Sequence, residues 1–224
     1  MSSRRRGLEG PALLCLALSA LASTGCSVGQ GTGYVRSTDL FVTNCWEGDF
    51  DLKPTFFGAN PFQDTLTIRV QRGERDIQVS DGFTMLVYNV PLIRSSLLGQ
   101  PLPLGLPVGV SPLGYPLPDV PNAPMATLSL YLNNSCAGQN SQLLAVRGEV
   151  TFGKLFSGDL NEENSEARIT EGFFWAEVTD PRTALPAPEG SEEGPYFYPE
   201  ETKSTIDGEF SFVFHRGTPA QPFP

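Results

Sequence analysis

The stretch ITEGFFWAEV, residues 169–178, decides the fold. Phe174, Ala176 and Val178 fall on one parity, and Phe173, Trp175 and Glu177 on the other. A period of two sends the two sets to opposite faces of a strand. The pattern recurs along the chain. Leu66, Ile68 and Val70 alternate with Thr65, Thr67, Arg69 and Gln71. Leu128, Leu130 and Leu132 alternate with Thr127, Ser129 and Tyr131. Leu144, Val146, Val150 and Phe152 share a parity, and Phe210, Phe212 and Phe214 alternate with Glu209, Ser211, Val213 and His215. One face is apolar and the other mixed, as in antiparallel sheets with one wet side. No window carries an apolar period of 3.6, and 23 glycines and 20 prolines supply turns. The alternation predicts strands near 38–46, 49–57, 64–72, 75–79, 83–93, 126–133, 143–155, 167–178 and 205–216. That number and spacing predict an all-β domain built as an antiparallel two-sheet β-sandwich, with a β-barrel as the alternative. In the sandwich, the phenylalanines fill the layer between the sheets.

Between Arg94 and Pro124 the pattern breaks. Prolines at 101, 103, 107, 112, 116, 118, 121 and 124 exclude a helix. Leu97, Leu98, Leu102, Leu104, Leu106, Val108, Val110 and Leu113 are too apolar for a free linker. The segment reads as a long Pro/Leu-rich crossover, partly polyproline-like, lying on the body. It either shields a sheet edge or serves as an exposed binding ribbon or lid. Two further loops, 158–168 and 182–203, are polar.

The N-terminus has a different grammar. Arg4, Arg5 and Arg6 precede an apolar run from Ala12 to Ala22, then Ser23, Thr24, Gly25 and Cys26. A basic head, a short apolar run and small residues make a secretory signal peptide, too short to span a bilayer as a helix. The ending resembles the lipobox of bacterial lipoproteins, although Ser23 stands where that class usually has Leu. The resemblance implies cleavage after Gly25, a diacylglyceryl thioether on Cys26 and acylation of the new amino group. Several acyl chains on one residue anchor far more firmly than one, at about 0.8 kcal/mol per buried CH2. Ser3-Arg4-Arg5-Arg6 also looks like a twin-arginine signal, but it reads more simply as a basic head. The expected boundaries are signal peptide 1–25, lipid-anchored flexible tether 26–37, a single β-sandwich domain 38–218 and a tail 219–224. A ten-residue tether spans roughly 17 Å.

From Cys26 onward the chain has 12 basic and 24 acidic residues and a single histidine. An acidic body repels phosphate backbones and anionic headgroups, so no nucleic-acid partner is expected and membrane contact falls to the lipid. Cys15 leaves with the signal and Cys26 takes lipid, so Cys45 and Cys136 remain. In an exported chain they are expected to form a disulfide.

Candidate chemistry is sparse. His215 reads as a surface residue near a strand end, and no G-x-S-x-G is present. No metal site is expected. The nearest approach is a calcium-like run with Asp159, Asn161, Glu163 and Glu166, but Asn164 and Thr170 occupy positions where an EF-hand needs Gly and Glu, so it reads as a solvated hairpin tip. Carboxylate pairs for sugar hydrolysis can always be found among so many acids, and none stands out. Aromatic platforms remain: Trp175, opposite the Phe174 face, and Tyr196, Phe197 and Tyr198 in an acid-rich loop. Exposed rings stack on sugars and anchor interfaces; the alternative is that they pack down as core. No cofactor and no catalytic activity are expected. The chain is read as a lipid-anchored envelope protein with a structural or protein-interaction role. The alternatives are a glycan-binding module and a hydrolase with unassigned carboxylates.

Several segments together look like a family of exported lipoproteins of unknown function from social, predatory Gram-negative bacteria. They are GCSVGQGTGYV (25–35), CWEGDFDLKPTFF (45–57), LTIRVQRG (66–73), SDGFTMLVYNV (80–90), LFSGD (155–159), ITEGFFWAEVTDPR (169–182), GEFSFVFHRG (208–217) and PAQPFP (219–224). The resemblance implies a secreted, lipid-anchored protein and brings no catalytic residues. Ser27 after the lipid cysteine fits export to an outer membrane in many lipoproteins. Envelope proteins or extracellular polysaccharide are the expected partners.

Overall fold

A computed structural model describes residues 30–73, 80–106, 123–137, 139, 141–157, 168–186 and 196–213. The chain is all-β. Its strands are β1 (Gln30–Val42), β2 (Trp46–Leu52), β3 (Phe56–Phe62), β4 (Thr65–Gln71), β5 (Asp81–Val87), β6 (Pro101–Gly105), β7 (Ala126–Leu132), β8 (Gln142–Lys154), β9 (Ile169–Thr179), β10 (Leu185–Pro186), β11 (Tyr196–Phe197) and β12 (Lys203–Val213). Ten of them form one sheet in the order β2-β1-β12-β9-β8-β6-β7-β5-β4-β3, and β10 and β11 form a two-residue ribbon. Among the described residues, no helix is long and apolar enough to cross a membrane.

The expected two-sheet sandwich is therefore corrected to a single curled sheet, a half-barrel. Strand alternation had put most of the right residues inward, except at the start of β8, where a bulge between Ala145 and Arg147 shifts the phase and buries Leu143 and Ala145 in place of Leu144 and Val146; but alternation holds equally for two facing sheets and for one sheet rolled on itself. The rolling is visible in the core. Phe57 of β3 stacks on Phe212 of β12 with ring centroids 5.7 Å apart, although seven steps of the strand order separate the two strands. Phe83 of β5 meets Phe174 of β9 at 5.3 Å and Phe210 of β12 at 5.9 Å. Phe57, Phe83, Phe152, Phe174, Phe210 and Phe212 are all buried, each contributing roughly 1.5–3 kcal/mol by burial. Bulges between Ser37 and Leu40 in β1 and at two points of the β8–β9 ladder add twist. Gly208 lets the roll tighten: a Cβ there would lie 2.5 Å from Cζ of Phe174, so the ring occupies the side-chain space.

Several expected boundaries shift. β1 starts at Gln30, so residues 30–37, read as tether, are paired with β12 from Gln30↔Val213 to Arg36↔Asp207. A Cβ at Gly31 would lie 2.4 Å from Cβ of Phe212, so the glycines of this run serve close strand approach. The strand expected at 49–57 splits at Lys53–Thr55 into β2 and β3. These are the two edges of the sheet, and Pro61 is tolerated in β3 because an edge strand has an unpaired side. The strand expected at 83–93 ends at Val87. Asn89 then turns left-handed (φ 53°) and a helical turn runs through Val90–Leu92 and Ile93–Leu97. The expected strand 75–79, crossover residues 107–122, and residues 1–29 and 214–224 lie outside the described residues.

The start of the Pro/Leu-rich crossover is not a cover over an edge. Pro101–Gly105 enters the sheet between β7 and β8 as β6, where those strands diverge beyond their own pairing at Ser129↔Leu144 to Tyr131↔Gln142. Leu102 and Leu104 point into the core while Pro101 and Pro103 are exposed. The Pro103 carbonyl accepts from the N–H of Met125 at 2.8 Å. Since a strand residue's N–H and C=O share one side, the donor that Pro103 lacks faces β7 and leaves the β8 ladder intact.

One end of the roll is tied. The β1–β2 turn carries Cys45 and the β7–β8 turn carries Cys136, and a disulfide joins them with a Cα separation of 5.7 Å. Two buried carboxylates hold the turns. Asp81 accepts from the N–H groups of Asn134 and Ser135 and from the Ser135 hydroxyl. Asp180 accepts from the N–H of Thr43 and is gripped by Arg182, whose Nη2 also reaches the Thr43 carbonyl. Burial alone would raise the Asp180 pKa. Hydrogen bonds from Arg182 and Thr43, with the guanidinium charge, outweigh it and hold the group below its ordinary value.

Candidate functional site

The outward side chains of β9 and its neighbours form the best-defined candidate site. Alternation gives each strand here one wet row. The ladder register sets these rows side by side: Glu149 of β8 opposes Trp175 of β9, which opposes Asp207 of β12. One step along, Thr151, Phe173 and Glu209 align in the same way, and one step the other way Arg147, Glu177 and Thr205 align. Neighbouring strands are about 4.8 Å apart and successive outward residues about 6.7 Å apart. Phe173 and Trp175 are thus adjacent on an open surface. They are 60% and 39% exposed, far above what a core aromatic shows.

Trp175 is held in place as well as exposed. Its Nε1 donates to Glu149 Oε2 at 3.3 Å. Beyond the aromatics the face descends into a shallow groove of about 810 Å³, lined by Arg147, Glu177, Leu185, Phe197, Tyr198 and Lys203 among others. Arg147 is ion-paired with Glu177, and Lys203 with Glu200. The hydrogen bond and charge of Glu177, with a further contribution from Glu200, hold the Arg147 guanidinium above its ordinary pKa.

Of the sequence-predicted aromatics, Trp175 is on this face, and Phe197 and Tyr198 line the groove beside it. Trp175 lies on the wet face and not in a second core layer. Phe197 and Tyr198 are half-buried walls of the adjoining groove, and Tyr196 pairs with Pro186 in the β10–β11 ribbon. Residues missed as site members are Phe173, Glu149, Asp207 and Glu209. Phe173 shares Trp175's parity, and that signal could have marked it. The carboxylates could not be placed beside it without the strand order. Cys26, the oxygen-rich set Asp159, Asn161, Glu163 and Glu166, and His215 lie outside the described residues. Among the described residues, no group of three or more His, Cys, Asp or Glu is placed to hold a metal ion.

Comparison with known proteins returned no match among family models, curated proteins or solved structures.

Proposed function

We propose that this chain is an exported protein, acylated on Cys26, that presents a non-catalytic binding face at the cell envelope. Its anchor is the lipid, and the outer membrane is its destination. Its kinship is with exported lipoproteins of social, predatory Gram-negative bacteria. The observation that carries the binding role is the adjacent exposure of Phe173 and Trp175 on the wet face of β9, next to a groove. Large aromatics in water cost solvation and are the residue types that anchor recognition. The role is interaction with another envelope component, and the curled sheet is the rigid support for that face.

The test uses the full chain expressed in a Gram-negative host. Mass spectrometry of the N-terminal peptide is expected to show acylated Cys26, and Cys26→Ser is expected to release the protein from membranes. After mild detergent extraction, the protein is expected to retain a defined envelope component that Phe173→Ala/Trp175→Ala loses. An unmodified, unprocessed N-terminus would overturn the anchor. Identical retention by the double variant would overturn the binding face.

A further inference from the structure

We infer that the Phe173–Trp175 face takes an amino-sugar polysaccharide bearing free ammonium groups. The inference rests on the binding role of this face and names its ligand.

The charge arrangement is selective. Glu149, Asp207 and Glu209 flank the two rings and are exposed, and among the described residues none of them forms an ion pair; Arg36, which opposes Asp207 across the ladder, is paired with Asp51, Arg147 with Glu177, Lys154 with Glu171 and Lys203 with Glu200. The face thus carries an excess of carboxylates over cations beside ring faces that attract cations. Such a surface repels phosphate, sulfate and uronate chains and favours ammonium.

The strands supply the second argument. β8, β9 and β12 are internal to the sheet, and their backbone groups are spent on their neighbours. No edge is offered here for a peptide to add as a strand, so recognition falls to side chains. A pyranose ring presents a flat apolar C–H face to an aromatic ring. A de-N-acetylated amino sugar adds an ammonium group at its rim, within reach of a flanking carboxylate. Phe173 beside Glu209 and Trp175 between Glu149 and Asp207 repeat that pairing at successive outward positions of one strand. The groove lined by Phe197 and Tyr198 continues the track for a polymer.

Calorimetric titration of the full chain with a glucosamine hexamer, an N-acetylglucosamine hexamer and hexalysine tests this. The glucosamine hexamer is expected to bind, more weakly as salt rises, and at least about tenfold more tightly than the acetylated hexamer or hexalysine. Trp175→Ala and Glu149→Gln/Asp207→Asn are each expected to lower that affinity about tenfold with unchanged thermal unfolding. Equal binding of both hexamers, tighter binding of hexalysine, or affinity insensitive to both variants would overturn the inference. Absence of glucosamine binding would also overturn it. If envelope capture still depended on Trp175, the binding role would survive that failure; if it did not, both would fall.

Discussion

The Asp81 carboxylate takes both the N–H and the hydroxyl of Ser135, at 2.9 and 2.7 Å, one residue before Cys136. A third hydrogen bond comes from the N–H of Asn134, and the side chain is wholly buried, with Arg72 Nη1 4.0 Å away. The acid at the start of β5 therefore shapes the turn that presents the disulfide sulfur.

Asp81→Asn keeps an Oδ1 acceptor for the two N–H groups but puts an amide donor where Oδ2 accepts from the Ser135 hydroxyl and faces Arg72, and removes the charge that strengthens all three bonds. It is expected to lower stability by about 2–3 kcal/mol, read from urea unfolding of the oxidised protein. A change under about 0.5 kcal/mol would mean that the turn holds its shape without the carboxylate.

The disulfide closes a loop spanning 91 residues of sequence separation between the β1–β2 and β7–β8 turns. Cys45→Ala/Cys136→Ala is expected to cost about 4–5 kcal/mol, mainly by freeing the unfolded chain. Comparing unfolding midpoints of wild type with and without reductant against the double variant checks this. The reduced wild type should approach the variant.

Asp180 has a folded-state pKa below its ordinary value, because the grip of Arg182 and Thr43 outweighs burial. Between that value and the ordinary carboxyl range, the unfolded state binds more protons than the folded one. The resulting stability is fully present above about pH 4 and disappears as pH falls through the folded value. Melting temperature followed from pH 5 downward is expected to fall less steeply for Asp180→Asn than for wild type, from a lower starting point.

Gly208→Ala drives a methyl group into the Phe174 ring, since a Cβ at that position stands 2.5 Å from Cζ. The expected cost is about 1–3 kcal/mol. Phe174→Leu in the same chain is expected to recover part of it, and a double-mutant cycle by denaturant unfolding measures the coupling. Additive losses would show that the ring is not what fills the space.

Much of the inward face was readable from parity alone. Phe174, Ala176, Val178, Phe210 and Phe212 are buried as their alternation required, and Trp175 is outward for the same reason. What parity omits is adjacency. It says that Phe57 and Phe212 point inward, not that they meet across a rolled sheet. β6 was hidden because prolines at 101 and 103 argue against a central strand, and only the divergence of β7 from β8 makes room for one. The first residues of β1 were hidden because QGTGY has the composition of a linker, while Gly31 and Gly33 answer to the close approach of β12 at Phe212 and at Glu209 and Phe210. The placing of Phe197 and Tyr198 in a groove beside the Trp175 face was equally unreadable, because the intervening sequence says nothing of where the chain returns.

With Cys26 acylated as proposed, the early start of β1 would set the posture of the molecule. Four peptide steps from Cys26 to Gln30 reach at most about 14 Å, so a body anchored at Cys26 would have little slack and would ride close to the headgroups. The Gln30 end of β1 would then be moored, and the opposite end, where Cys45 is crosslinked, would stand off from the bilayer. The aromatic flank of β9 would face sideways, where a long polymer running along the cell surface would brush past it.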